Sequence, residues 1–139
     1  MAVEFPSDYR PSPDEEYMNP MQLEYFRRKL LAWQDELIQE VQEALNNLRD
    51  EAYQEVGDEA DRASRESEHG LELRTRDRYR KLLRKIKQAL ERIDGGSYGY
   101  CEDTDEPIGI KRLEARPIAT LSIDAQERRE MKEKVLADG

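Results

Sequence analysis

The chain has 139 residues, 37% of them hydrophobic and 40% charged, with a formal net charge of −9. That balance permits one modest core and favours long exposed helices over a compact globule, and the acidity argues against general nucleic-acid binding, whose main term is phosphate neutralisation. A single cysteine excludes an internal disulfide, no apolar run nears the roughly 20 residues of a membrane span, and the N-terminus lacks a basic-then-apolar leader, so a cytoplasmic protein with protein partners is expected.

Residues 1–18 carry three prolines, a cluster of acids and little apolar periodicity, which reads as a disordered lead-in. Asn19-Pro20 then has the form of an N-cap followed by proline at the first helical position. From there Leu23, Phe26, Leu30, Trp33, Leu37, Val41, Ala44, Leu48 and Ala52 recur at steps of three or four, a helical seam close to the heptad period. A helix of about 35 residues is predicted, about 50 Å long at about 1.5 Å per residue.

The pattern breaks at Val56-Gly57-Asp58, where a tight reversal is expected. A second helix follows to about Ile93, with Ala60, Ala63, Leu71, Leu82, Ile86, Leu90 and Ile93 on its inner face, and Asp94-Gly95-Gly96-Ser97 stops it. Two long helices joined by one short turn make an antiparallel coiled-coil hairpin, placed at residues 19–94 with its tip at about 54–62. Its charge is segregated: Glu51 to Gly70 has seven acids against two arginines, whereas Leu71 to Ile93 has nine Lys or Arg against three acids. The tip is acidic and the stem basic.

Residues 95–139 are expected to form a small zinc-finger-like globular domain. Cys101 and Thr104 stand as C-x2-T, and after seventeen residues Ser122 and Ala125 stand as S-x2-A, where C-x2-C-x17-C-x2-C would be a strong zinc pattern. Cys101 alone cannot build a structural site, because threonine and serine are poor ligands and alanine is none. No structural zinc is expected, and packing must substitute, with Tyr98, Tyr100, Ile108, Ile110, Leu113, Ile118, Leu121 and Ile123 as candidates. The punctuated stretch Pro107–Leu121 reads as turns and short extended pieces. A last helix runs from about Ser122 or Asp124 to Leu136, with Ser122 available to cap it.

Taken together, Glu15-Glu16-Tyr17-Met18-Asn19, Phe26-Arg27-Arg28, Ala32-Trp33, Asp61-Arg62-Ala63, Leu71-Glu72-Leu73-Arg74, Arg76-Asp77-Arg78, Tyr98-Gly99-Tyr100-Cys101 and Ile108 to Pro117 resemble the DksA-type regulators of bacterial RNA polymerase over most of the chain. The resemblance implies a factor that inserts its coiled coil into the polymerase secondary channel and, with guanosine tetraphosphate (ppGpp), modulates initiation without touching promoter DNA. It implies roles for Asp58, Asp61 and Ala63, matching the tip motif D-x-x-D-x-A, near the polymerase active centre. Capping of a helix is the alternative role for these aspartates. It places Leu82, Lys85, Arg116 and Gln126 at the nucleotide and the polymerase rim, with Gln126 departing from the usual lysine, and Arg78 and Arg112 toward the polymerase. A monomer that is not an enzyme is implied, and no glycine-rich phosphate loop, paired histidines or nucleophile elbow occurs. A Gre-like channel factor and a coiled-coil adaptor remain as alternatives. A nucleic-acid binder using the basic stem is disfavoured by net charge and by the lack of interleaved aromatic residues.

Overall fold

The computed structural model describes residues 5–55 and 62–138, without the side chains of residues 51–55, 62–64 and 138. Among the described residues four helices follow in chain order: α1 (Pro20–Glu55), α2 (Arg62–Gly95), α3 (Ile110–Ala115) and α4 (Ile123–Asp138). The only pairing of extended backbone among the described residues is an isolated antiparallel bridge between Tyr100 and Pro107. The chain is thus mainly α, a long helical hairpin with a small helical and turn-rich domain.

Helix α1 begins where its capping chemistry dictates. The Asn19 side-chain oxygen accepts from the Gln22 N–H at 3.0 Å, satisfying one of the orphan donors of the first turn. Gln22, fully buried, reaches back to accept from the Met18 N–H at 2.7 Å, a variant of the reciprocal capping box. Helix α2 ends as the glycine pair requires. The Arg92 carbonyl accepts from the Ser97 and Tyr98 N–H groups at 3.0 and 3.2 Å, and Gly96 takes a left-handed φ of 83°, which only glycine adopts without cost.

The chain divides into two compact units, residues 31–87 and residues 1–30 with 88–139. This division falls inside both long helices, away from the boundary at residues 94 and 95 expected from the glycines, because the apolar seam near the base of α1 packs with the small domain. In the first unit α1 and α2 are antiparallel. Arg49 pairs with Glu72 at 3.7 Å, while Ala44 shares a groove with Leu71, Thr75 and Tyr79, so numbers fall along one helix as they rise along the other. Leu37 and Ile86 are buried. Leu71, expected on the inner face, is 43% exposed: the small Ala44 across the groove leaves it uncovered. The turn and the aspartates Asp58 and Asp61 lie outside the described residues, as does the side chain of Ala63.

In the second unit Phe26, Leu30, Ala89 and Ile93 supply the part of the core that comes from α1 and α2, and Tyr98, Cys101, Ile108, Leu113, Ile118, Ala119, Leu121 and Ala125 the part from the small domain. Tyr98 lies against Phe26 at 5.7 Å between ring centroids, and its hydroxyl donates to the Pro117 carbonyl at 2.8 Å. Two expected core residues are exposed, Tyr100 at 39% and Ile123 at 54%. Residues 110–115, read as turns or extended pieces, form a helix because five of the six are strong helix formers and the buried Leu113 anchors a segment too short to be helical alone.

Residues 5–18 differ most from the expected disordered lead-in. Phe5, Tyr9 and Tyr25 form an aromatic cluster with centroid separations of 5.3 to 6.4 Å, and the Arg28 guanidinium lies 4.3 Å from the Phe5 ring, within cation–π range. Tyr9 donates to Glu15. Burial and this partner raise the Tyr9 phenol to about 12, and the same hydrogen bond holds the Glu15 carboxyl below its ordinary range. The prolines and acids read as disorder, yet the aromatic residues among them carry enough apolar surface to order the segment.

Candidate functional site

The hairpin unit carries a basic groove of about 470 Å³ lined by Arg74, Asp77, Arg78, Lys81, Leu82 and Lys85. All six come from α2 at helical steps of three and four, which place them on one face. The sequence-predicted Arg78, Leu82 and Lys85 therefore stand side by side. Leu82 is half-buried, whereas Arg78 and Lys85 are exposed, so an apolar floor is flanked by cationic ends. The Arg78 guanidinium lies 5.3 Å from the Tyr79 ring, and Lys81 pairs with Asp77 at 3.1 Å. Arg74 and Lys81 were not singled out from the sequence, although counting four residues either side of Arg78 and Lys85 would have found them.

The small-domain unit carries the other predicted residues. Arg116 is exposed and held at the C-terminal end of α3, its N–H donating to the Arg112 carbonyl at 2.8 Å. Arg112 is half-buried, and its Nε donates to the Leu121 carbonyl at 2.9 Å; that contact fastens α3 to the loop before α4. Gln126 is half-buried on the first turns of α4, and its amide donates to Glu130 at 3.0 Å. In place of a mobile cation, the position presents a neutral donor already engaged by a carboxylate.

The four degenerate zinc positions have been absorbed into the fold. Cys101 and Ala125 are each 1% exposed, the Ser122 hydroxyl accepts from the Ala125 N–H at 3.2 Å and caps α4, and the Thr104 hydroxyl accepts from the Glu106 N–H at 3.3 Å. Burial pushes the Cys101 thiol up, but hydrogen bonds from the Thr104 hydroxyl and from the Ser122, Asp103 and Thr104 N–H groups outweigh it and bring the thiol down to about 7. The sulfur is surrounded by donors, as a metal-bound thiolate would be, while the other three positions offer two engaged hydroxyls and a methyl group. This donor set does not fit a structural zinc, which takes four Cys, His or carboxylate ligands. Arg129 closes the same loop onto α4 with a two-pronged contact to Asp103, its Nε at 2.9 Å from one carboxylate oxygen.

A long helical hairpin followed in the chain by a small turn-rich domain on a zinc-finger frame defines the class of the protein. Residues 22–93 match the profile of the DnaK suppressor protein DksA, N-terminal domain, and residues 96–130 match the prokaryotic dksA/traR C4-type zinc finger. The chain is 59% identical over 132 residues to the RNA polymerase-binding transcription factor DksA of Caulobacter vibrioides, covering 95% of this chain and 92% of that protein. It is 45% identical over 137 residues to the factor of the same name from Escherichia coli K12, covering 99% and 90%. Among solved structures, transcription factor DksA2 from Pseudomonas aeruginosa superposes with a TM-score of 0.76 at 46% identity, covering 88% of this chain and 93% of that one. The chain belongs to the DksA family. Unlike the C4 finger whose profile it matches, it contains a single cysteine.

Proposed function

We propose that this protein regulates transcription by binding RNA polymerase, entering the secondary channel with its hairpin and acting with guanosine tetraphosphate at initiation, with no contact to promoter DNA. The observation that carries the reading is the shared α2 groove of Arg78, Leu82 and Lys85 in a chain of the DksA family. Its chemistry suits a polyanionic nucleotide: arginine forks onto phosphate oxygens, lysine adds a compact charge, and the leucine packs against the nucleoside. Arg116, in the small-domain unit, offers a phosphate contact of the same kind. Gln126 contributes a weaker one, a deficit of about 1 kcal/mol in a solvated shared site.

Asp58, Asp61 and Ala63 are the tip residues that meet mobile elements around the polymerase active centre, and they modulate the enzyme without chemistry of their own. The factor acts as a cytoplasmic monomer and needs no zinc, because no second thiol stands beside Cys101.

The test is transcription in vitro from a ribosomal RNA promoter with purified polymerase and a zinc chelator, with and without the nucleotide, comparing wild type with Asp61→Asn. Inhibition that the nucleotide strengthens and the tip substitution abolishes is the expected result. A folded protein without effect on any reaction would overturn the reading and favour an adaptor.

A further inference from the structure

In the second unit one short element is held from three sides. At its N-terminal end, the Tyr17 hydroxyl accepts from the Gly109 N–H at 2.9 Å and donates to the Gly99 carbonyl at 2.7 Å. Gly109 is the N-cap residue of α3 and has no side-chain cap; the phenol from the N-terminal segment satisfies the N–H of that residue, the part an N3 side chain plays in a capping box. In its last turn, Glu114 accepts from the Lys29 ammonium at 2.7 Å and from the Tyr25 hydroxyl at 2.9 Å. Between these ends Leu113 is fully buried. Six residues cannot hold a helix in water on their own, so the place and direction of α3 are set by these outside contacts.

The residue at the C-terminal end of α3 is Arg116, whose side chain is exposed. We infer that Tyr17 and Glu114 are positioning residues: by clamping the two ends of α3 they fix where Arg116 presents its guanidinium, and so set the response to the polyanionic nucleotide. This rests on the reading of Arg116 given above. Neither side chain needs to touch the nucleotide or the polymerase for this role. Tyr17 lies 82 residues from one of its partners and 92 from the other, which is why no local sequence pattern reports it. A charged group aimed at a fixed phosphate loses most of its value when its base can wander, because preorganisation is what a positioned contact contributes.

The experiment compares wild type, Tyr17→Phe, Glu114→Gln and Arg116→Ala in nucleotide titrations of promoter inhibition, alongside amide exchange at Leu113 and Arg116. Tyr17→Phe keeps the ring and removes only the hydroxyl. The expected result is a half-maximal nucleotide concentration raised about fivefold in Tyr17→Phe, as for loss of a hydrogen bond or two, with inhibition in the absence of nucleotide unchanged, and the same direction in Glu114→Gln. Exchange at Leu113 and Arg116 rises about tenfold, as local opening becomes easier. A wild-type nucleotide response in both variants would overturn the inference, as would a parallel loss of nucleotide-free inhibition, which marks general unfolding. If Arg116→Ala itself responds normally, the role assigned to Arg116 fails. The inference then falls with it, whereas a wild-type response of both clamp variants beside an impaired Arg116→Ala overturns the inference and leaves the role of Arg116 standing.

Discussion

Alanine at Gly99, set against alanine at Gly96, measures how tightly the N-terminal segment grips the small domain. Both glycines have left-handed backbones, with φ of 93° and 83°. A Cβ at Gly96 meets nothing within 4 Å, so Gly96→Ala costs the backbone conformation alone, about 1 to 2 kcal/mol. A Cβ at Gly99 would lie 2.9 Å from both Met18 Cγ and Sδ and 3.2 Å from the Tyr17 hydroxyl. Met18 can yield at an off-rotamer cost of about 1 kcal/mol. The Tyr17 hydroxyl cannot move without lengthening its bonds to Gly99 and Gly109, each contributing about 1 kcal/mol. Gly99→Ala is therefore expected to cost about 3 to 5 kcal/mol, about 2 more than its neighbour. Guanidinium denaturation followed by near-ultraviolet circular dichroism reads this, because Tyr17, Tyr98 and Tyr100 report on the affected unit. Equal costs for the two substitutions, within about 0.5 kcal/mol, would refute the grip.

Gln126→Lys restores a cation at a position now engaged with Glu130, and is expected to lower the half-maximal nucleotide concentration by up to about fivefold; an unchanged titration would remove Gln126 from the rim. Leu113→Ala takes a fully buried side chain out of the small-domain core and is expected to cost about 2 to 5 kcal/mol in denaturant unfolding. Cys101 supplies a pH dependence. Its folded thiol lies at about 7, below the ordinary 9.0, so its contribution is present above the unfolded value and lost as pH falls from 9.0 through about 7. Stability should accordingly rise between those limits in wild type and stay flatter in Cys101→Ser, measured by denaturant midpoints; parallel profiles would contradict it.

The hairpin was legible because its signals are local and repeated. Apolar residues at steps of three and four drew α1 and, with wider gaps at Leu71 and Leu82, α2; Asn19-Pro20 opened α1, and the glycines after Asp94 closed α2. That Arg78, Leu82 and Lys85 share one face of α2 follows from their spacing, but only the family resemblance singled them out, because a charged face on a solvated helix carries no local mark of a ligand. Helix α3 was not, because Pro107, Gly109 and Pro117 bracket six residues whose helicity comes from Leu113 burial and the Glu114 contacts. Nor was the ordering of residues 5–18. Their tyrosines find partners far along the chain, as Tyr17 does at Gly99 and Gly109, and composition does not encode long-range pairing.

The small domain shows how a metal-type turn survives the loss of its ligands. In a four-cysteine site the ion draws two loops together because four thiolates must converge on it. Here the loops are joined through bonds that need no ion: the Glu102 N–H reaches the Thr120 carbonyl at 2.9 Å, Arg129 holds Asp103, and Ala125 packs in the core where a ligand would stand. The N–H groups that would stabilise a metal thiolate remain aimed at Cys101, which is why its thiol titrates low despite its burial. Losing one ligand from such a site leaves a defective metal centre, whereas losing three leaves a sulfur that serves as a hydrogen-bond acceptor. That sulfur is 1% exposed, so an oxidant reaches it only after the domain opens. The contacts that hold the domain shut, Tyr17 among them, therefore guard the thiol as well as the fold.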